Sequence, residues 1–104
     1  VCFGHVGDGN LHYNQGKPAG MADAEFRSRE EAVHGVVHAT AARLGGSISA
    51  EHGIGRQKQA AFMHYKNPVA LAAMARIKRA LDPANTFNPG RMLPRALLDP
   101  LTFR

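Results

Sequence analysis

The sequence predicts an α+β fold: a partial antiparallel sheet, made of a hairpin and one short strand, with about three helices packed on one side. Two patterns carry this expectation. Strand-forming Val1, Phe3, Val6, Leu11 and Tyr13 surround the turn-forming run Gly7-Asp8-Gly9-Asn10. Apolar residues then recur near a 3.6-residue period in segments punctuated by Gly45-Gly46, Asn67-Pro68 and Asp82-Pro83. With 104 residues and 44% hydrophobic content, the chain buries one modest core, so it is a single domain or part of one.

Residues 1–14 form the expected hairpin. If Asp8-Gly9 makes a two-residue type I′ turn, His5 falls directly opposite His12. After a loop containing Gly16, Pro18 and Gly20, Asp23 caps a helix whose stripe runs through Phe26, Val33, Val37, Ala41 and Leu44, and Gly45-Gly46 stops it. Ser47-Ile48-Ser49 is the short strand, and the Gly53-Ile54-Gly55 bend leads into a helix over 56–65. Asn67 caps the next helix with Pro68 at its first position, an apolar face of Leu71, Met74, Ile77 and Leu81, and a stop at Asp82-Pro83. The stretch from Ala84 to Arg104 holds three of the six prolines and reads as an extended tail that needs another surface to lie on.

Val1-Cys2-Phe3 reads as the middle of a strand rather than a frayed terminus, so the chain is expected to be a piece of something longer. Unpaired sheet edges and an uncovered apolar face in such a piece invite homodimerisation or strand exchange. No apolar run approaches the roughly 18 residues of a membrane span, and no signal peptide is visible. Cys2 is the only cysteine, which excludes an internal disulfide and a cysteine-based zinc knuckle, and fits a reducing, cytoplasmic setting. The net charge of +5 is spread along the chain with little aromatic residue for base stacking, so nucleic acid is not the expected partner. The densest basic cluster, Arg76-Ile77-Lys78-Arg79, sits late in a helix, where the dipole favours cations.

Chemistry concentrates in Gly4-His5-Val6-Gly7-Asp8-Gly9-Asn10-Leu11-His12-Tyr13-Asn14. Directly opposed strand residues project to one face with Cβ atoms about 5 Å apart, and alternation adds Asn10 and Asn14 to the face of His5 and His12. Two imidazoles so placed can share a metal ion; the other reading is a pair of surface histidines on a polar face, which would repel when protonated. Glu51 is the candidate third ligand and His52, beside it, a candidate base, unless the two merely cap a helix. Three N/O ligands with a vacant position suit a catalytic zinc or manganese. The glycines after His52 allow close backbone approach, and the amides of the helix they open favour an anion, which would rationalise Arg56 and Lys58 in its first turn.

Other candidates carry less. His34 and His38 are four apart on one helix but lack an acidic partner, and His64 has no context. Ser47 and Ser49 are not in a Gly-x-Ser-x-Gly elbow, and the glycines of Gly4 to Gly9 lack the Lys and following helix of a P-loop.

Three stretches, Gly4-His5-Val6-Gly7-Asp8-Gly9-Asn10-Leu11-His12, Ala50-Glu51-His52-Gly53-Ile54-Gly55 and Phe87-Asn88-Pro89-Gly90-Arg91, resemble in order and spacing the C-terminal domain of FAD-linked oxidases of the vanillyl-alcohol oxidase superfamily. The D-lactate, glycolate and D-2-hydroxyglutarate dehydrogenases belong to that group, and Ser47 to His52 look most like the D-2-hydroxyglutarate type. The resemblance implies that His5, His12 and Glu51 hold a divalent metal, that His52 takes the substrate hydroxyl proton, that Asn14 binds the substrate carboxylate and that Asn88 lies near the flavin. It implies a C-terminal portion of a flavoenzyme, with residues 1–83 from the cap and substrate domain and 84–104 leading toward a flavin domain that is upstream in the family and binds most of the FAD. A portion without that domain is expected to be inactive alone. The alternative is a stand-alone divalent-metal-binding or interaction module without redox activity.

Overall fold

Cys2–His5 (β1) and Asn10–Tyr13 (β2) pair antiparallel, with Phe3 opposite His12, Gly4 opposite Leu11 and His5 opposite Asn10. The computed structural model that shows this describes residues 1–49 and 51–98. After the hairpin come α1 (Asp23–Ser28), α2 (Glu30–Arg43), α3 (Gln59–Tyr65), α4 (Pro68–Leu81) and a 3-10 turn at Arg95–Leu98. The fold is α+β, and it divides into two compact units, Val1–Glu51 and His52–Arg104.

The hairpin register differs from the expected one by two residues, because the loop holds the four residues Val6 to Gly9 rather than the Asp8-Gly9 pair alone. Two local features set this. The Asp8 carboxylate accepts from the Asn10 backbone N–H at 3.0 Å, an Asx-type closure that occupies the donor at the start of β2. Gly4 admits the Asn10 backbone: a Cβ at this position would lie 1.8 Å from the Asn10 carbonyl oxygen. Beyond the strands, Val1 and Asn14 exchange backbone hydrogen bonds of 2.8 and 3.0 Å, extending the same register.

The expected third strand at Ser47-Ile48-Ser49 does not form, and the sheet of the described residues is two-stranded. Ser47 Oγ instead bonds the Ser49 backbone on both sides, donating to its carbonyl and accepting from its N–H, an arrangement that competes with strand pairing. The single helix expected from Asp23 is two. Ser28 Oγ donates to the Glu25 carbonyl, and Arg29 N–H reaches back three residues to Phe26, so the chain tightens at Arg29 before α2 begins. Asp23 is the first helical residue rather than the cap, and it is ion-paired with Lys17. Of the expected stripe, Phe26, Val33, Val37 and Ala41 are half-buried and Leu44 is exposed. The stop is as expected: Gly45 takes φ +76°, and Gly45 and Gly46 donate to Ala42 and Ala41, the paired bonds of a Schellman end.

In the second unit, Asn67 Oδ1 accepts from Val69 N–H at 2.8 Å with Pro68 at the first position of α4, as the sequence predicts. The core consists of Phe62, Leu71, Ala75, Leu93 and Leu98 among the described residues. Burying a leucine such as Leu71 contributes about 1.5–3 kcal/mol. The buried face of α4 is Leu71 and Ala75, four apart, whereas Ile77 and Leu81 are exposed and line an apolar cavity of about 420 Å³. The expected extended tail folds back on α4, where Leu93 and Leu98 complete the core; residues 99–104 lie outside the described ones.

The turn that returns the tail is organised by Asp82. Its buried carboxylate accepts from Thr86 and Phe87 N–H, each at 2.9 Å, and from Lys78 Nζ, which also donates to the Phe87 carbonyl at 2.6 Å. The Lys78 hydrogen bond, helped by the two backbone donors and opposed by desolvation, holds the Asp82 carboxyl below its ordinary pKa.

Candidate metal centre

Strand pairing keeps alternate residues on one face, so a register shift of two leaves that face unchanged whereas a shift of one would invert it. His5, Asn10, His12 and Asn14 therefore share a face in the observed hairpin, with His12 diagonal to His5 instead of opposite it. Phe3 takes the place opposite His12 and stacks on it, ring centroids 5.0 Å apart and planes 11° from parallel. Sequence reading missed this contact, although Phe3 has the parity of His5 and could have been placed by it.

Glu51, at the end of the first unit, reaches both imidazoles. His12 Nε2 donates to Oε1 at 2.9 Å, and His5 Nδ1 lies 3.4 Å from Oε2, so each carboxylate oxygen meets a different ring. Two ligands held about 2.0–2.2 Å from a tetrahedral zinc stand about 3.3–3.6 Å from one another. The His5–Glu51 approach matches this, whereas the His12–Glu51 approach is the shorter distance of a hydrogen bond. The ligand atoms of His5, His12 and Glu51 do not all lie within 4.8 Å of one another. His12 is the better shielded partner at 27% side-chain exposure, against 64% for His5 and 41% for Glu51. Two imidazoles and one carboxylate on partly open side chains are donor types that zinc or manganese accepts.

Asn10 adds a second sign of a built polar site. It is buried at 8% exposure on the histidine face, and its Nδ2 has no hydrogen-bond partner among the described residues. A buried donor left so carries a desolvation cost of about 1–3 kcal/mol unless something accepts from it.

His52 is the next residue after Glu51, the first of the second unit, and is exposed. The helix expected to open behind it starts later: residues 55–58 form a turn and α3 begins at Gln59, so Arg56 and Lys58 lie in the turn before the helix rather than in its first turn. Asn14 is exposed just past β2, and Asn88 is exposed at φ +49° on the lining of the apolar cavity. On α2, the rings of His34 and His38 stack at 5.7 Å, and His64 stands edge-on to Tyr65 at 4.6 Å.

Residues 1–92 match the family model described as FAD linked oxidases, C-terminal domain. The chain belongs to this family. It is 40% identical over 92 residues to a D-2-hydroxyglutarate dehydrogenase of Stutzerimonas stutzeri (strain A1501), covering 88% of this chain and 20% of that protein. It is 42% identical over 94 residues to the mitochondrial D-2-hydroxyglutarate dehydrogenase of Rattus norvegicus, covering 90% and 17%. An uncharacterized FAD-linked oxidoreductase of Mycobacterium tuberculosis (strain ATCC 25618 / H37Rv) is 41% identical over 91 residues, covering 86% and 18%. The chain thus spans about a fifth of the length of these relatives. No solved structure matches it. Among the described residues no helix is long and apolar enough to cross a membrane.

Proposed function

We propose that this chain is the metal- and substrate-side portion of an FAD-dependent dehydrogenase that oxidises a D-2-hydroxy acid, D-2-hydroxyglutarate first among them, to the 2-oxo acid. The observation that carries the reading is one carboxylate, Glu51, between two imidazoles of a single hairpin face, in a chain of the FAD-linked oxidase family. In this reading residues 1–83 belong to the cap and substrate domain, and 84–104 lead toward the flavin domain.

His5, His12 and Glu51 would hold a divalent metal, zinc or manganese. When bound, such an ion supplies Lewis-acid polarisation of the 2-hydroxy and carboxylate oxygens. His52 would accept the hydroxyl proton while the Cα hydrogen leaves with its electron pair and the C–O bond becomes a carbonyl. Asn14 donates its side-chain amide to the substrate carboxylate. Asn88, exposed beside an apolar cavity, offers an amide next to apolar walls, a match to a flavin ring with its polar N/O edge and apolar rim. FAD itself supplies the hydride acceptor and is bound mainly outside this chain.

The test is made on the flavin-loaded full-length protein that carries this chain. Anaerobic D-2-hydroxyglutarate bleaches the flavin faster than D-lactate or glycolate, and His52→Asn slows that reduction by about 10²–10⁴-fold. A full-length protein that contains no flavin overturns the reading in favour of a metal-binding module.

A further inference from the structure

His52 opens a segment that is tied to the segment containing Asn88. Met92 N–H donates to the Gly55 carbonyl at 2.7 Å, and Gln59 Nε2 donates to the Gly90 carbonyl at 3.1 Å in a half-buried position. Two hydrogen bonds thus fasten residues 55–59 to residues 90–92 within the second unit. The first is backbone to backbone and is indifferent to side-chain identity; the second depends on what stands at position 59.

The fastened backbone is unusual. Gly55, Gly90 and Met92 take φ of +57°, +69° and +60°, and Asn88 takes +49°. Asn88 and Met92 carry a Cβ, and side chains rarely adopt this region unless the surroundings over-determine it. Strain of this kind clusters where a geometry is held for a purpose. The residue at one flank of the fastened stretch is His52, three before Gly55, and at the other Asn88, two before Gly90.

We propose that Gln59 is a positioning residue that registers the His52 segment against the Asn88 segment. The inference rests on the dehydrogenase reading above. Oxidation of a 2-hydroxy acid would break the hydroxyl O–H bond and the adjacent Cα–H bond, His52 taking the proton and the flavin supplying the acceptor for the hydride with its electron pair. Both acceptors have to stand at their places together, and a misplacement of about 1 Å in such an arrangement costs on the order of 10²-fold in rate. The Gln59 amide N–H holds the Gly90 carbonyl and through it the direction in which Asn88 leaves the turn. The donor is required rather than the amide as such, because Gly90 offers only an oxygen.

The experiment uses the flavin-loaded full-length protein with Gln59→Met, which keeps the length and removes the donor, and Gln59→Lys, which keeps a donor. Single-turnover flavin reduction by saturating D-2-hydroxyglutarate is followed with protiated and 2-deuterated substrate, beside substrate affinity and the melting temperature. Gln59→Met slows reduction on the order of tenfold with a larger deuterium isotope effect and little change in substrate affinity, and Gln59→Lys recovers most of the rate. Reduction at the wild-type rate in Gln59→Met, whether or not its melting temperature falls, overturns the inference, as does Gln59→Lys being as slow as Gln59→Met. A wild-type flavoprotein that no 2-hydroxy acid reduces overturns the dehydrogenase reading and this inference together, and is told apart by the wild-type trace alone.

Discussion

His12 faces Phe3 across the hairpin and Glu51 along its own ring edge, so one imidazole is held by a stacked aromatic at 5.0 Å and a carboxylate at 2.9 Å at once. The stacking fixes the ring plane and the carboxylate fixes which nitrogen points at Glu51. Among the described residues His5 makes the longer approach to Glu51, at 3.4 Å, and it has a more open side chain. The two histidines are therefore unequal members of one cluster.

Metal content follows from this cluster. The chain is expected to retain about one equivalent of zinc or manganese after loading and gel filtration, measured by elemental analysis, and His5→Ala and Glu51→Gln are each expected to retain none. A full equivalent in Glu51→Gln would remove the carboxylate from the ligand set.

Gly4 is expected to resist any side chain. Gly4→Ala places a Cβ on the Asn10 carbonyl oxygen and is expected to cost about 1–3 kcal/mol, read as a lowered urea midpoint of the hairpin signal. Gly7→Ala is the control: no atom lies within 4 Å of its Cβ position, and a shift of no more than about 0.5 kcal/mol is expected.

The acid dependence of the second unit is expected to pass through Asp82. Its folded pKa is depressed, chiefly by Lys78, so its contribution is complete above the ordinary aspartate value and disappears as the pH falls through the depressed one. Asp82→Asn should lower the melting temperature at pH 7, and the gap to the parent should close as the pH is lowered from 5 toward 2, in a melting series across that range. A gap that stays constant with pH would assign the effect to packing alone.

Local chemistry made much of this legible in advance. Asn67-Pro68 and Gly45-Gly46 mark helix ends because the groups they satisfy lie within a few residues of them. The histidine face survived a wrong turn assignment, since a register error of two preserves side-chain parity. What failed depended on partners distant in sequence or on weak competition. Ser47-Ile48-Ser49 pairs with no strand among the described residues, and its serine satisfies the backbone locally. The apolar period of α4 included Ile77 and Leu81, but the helix buries Leu71 and Ala75 and leaves Ile77 and Leu81 exposed on the lining of the apolar cavity, which no periodicity can foresee. Gln59 and Gly90 are 31 residues apart, and nothing in either segment announces the other.

The described residues place every buried apolar side chain, from Phe62 to Leu98, in the second unit, while the first buries only the polar Asn10. Order in the first unit accordingly rests on backbone hydrogen bonds, the Asp8 closure and the pull of Glu51 on two rings, without an oil-like interior behind them. An ion captured by His5, His12 and Glu51 would do double duty, binding and folding in one event. Its apparent affinity for this chain would then be the intrinsic affinity diminished by the work of assembling the hairpin around it. A surface that arrived already docked against β1 and β2 would return that work as tighter binding, with no ligand atom changed.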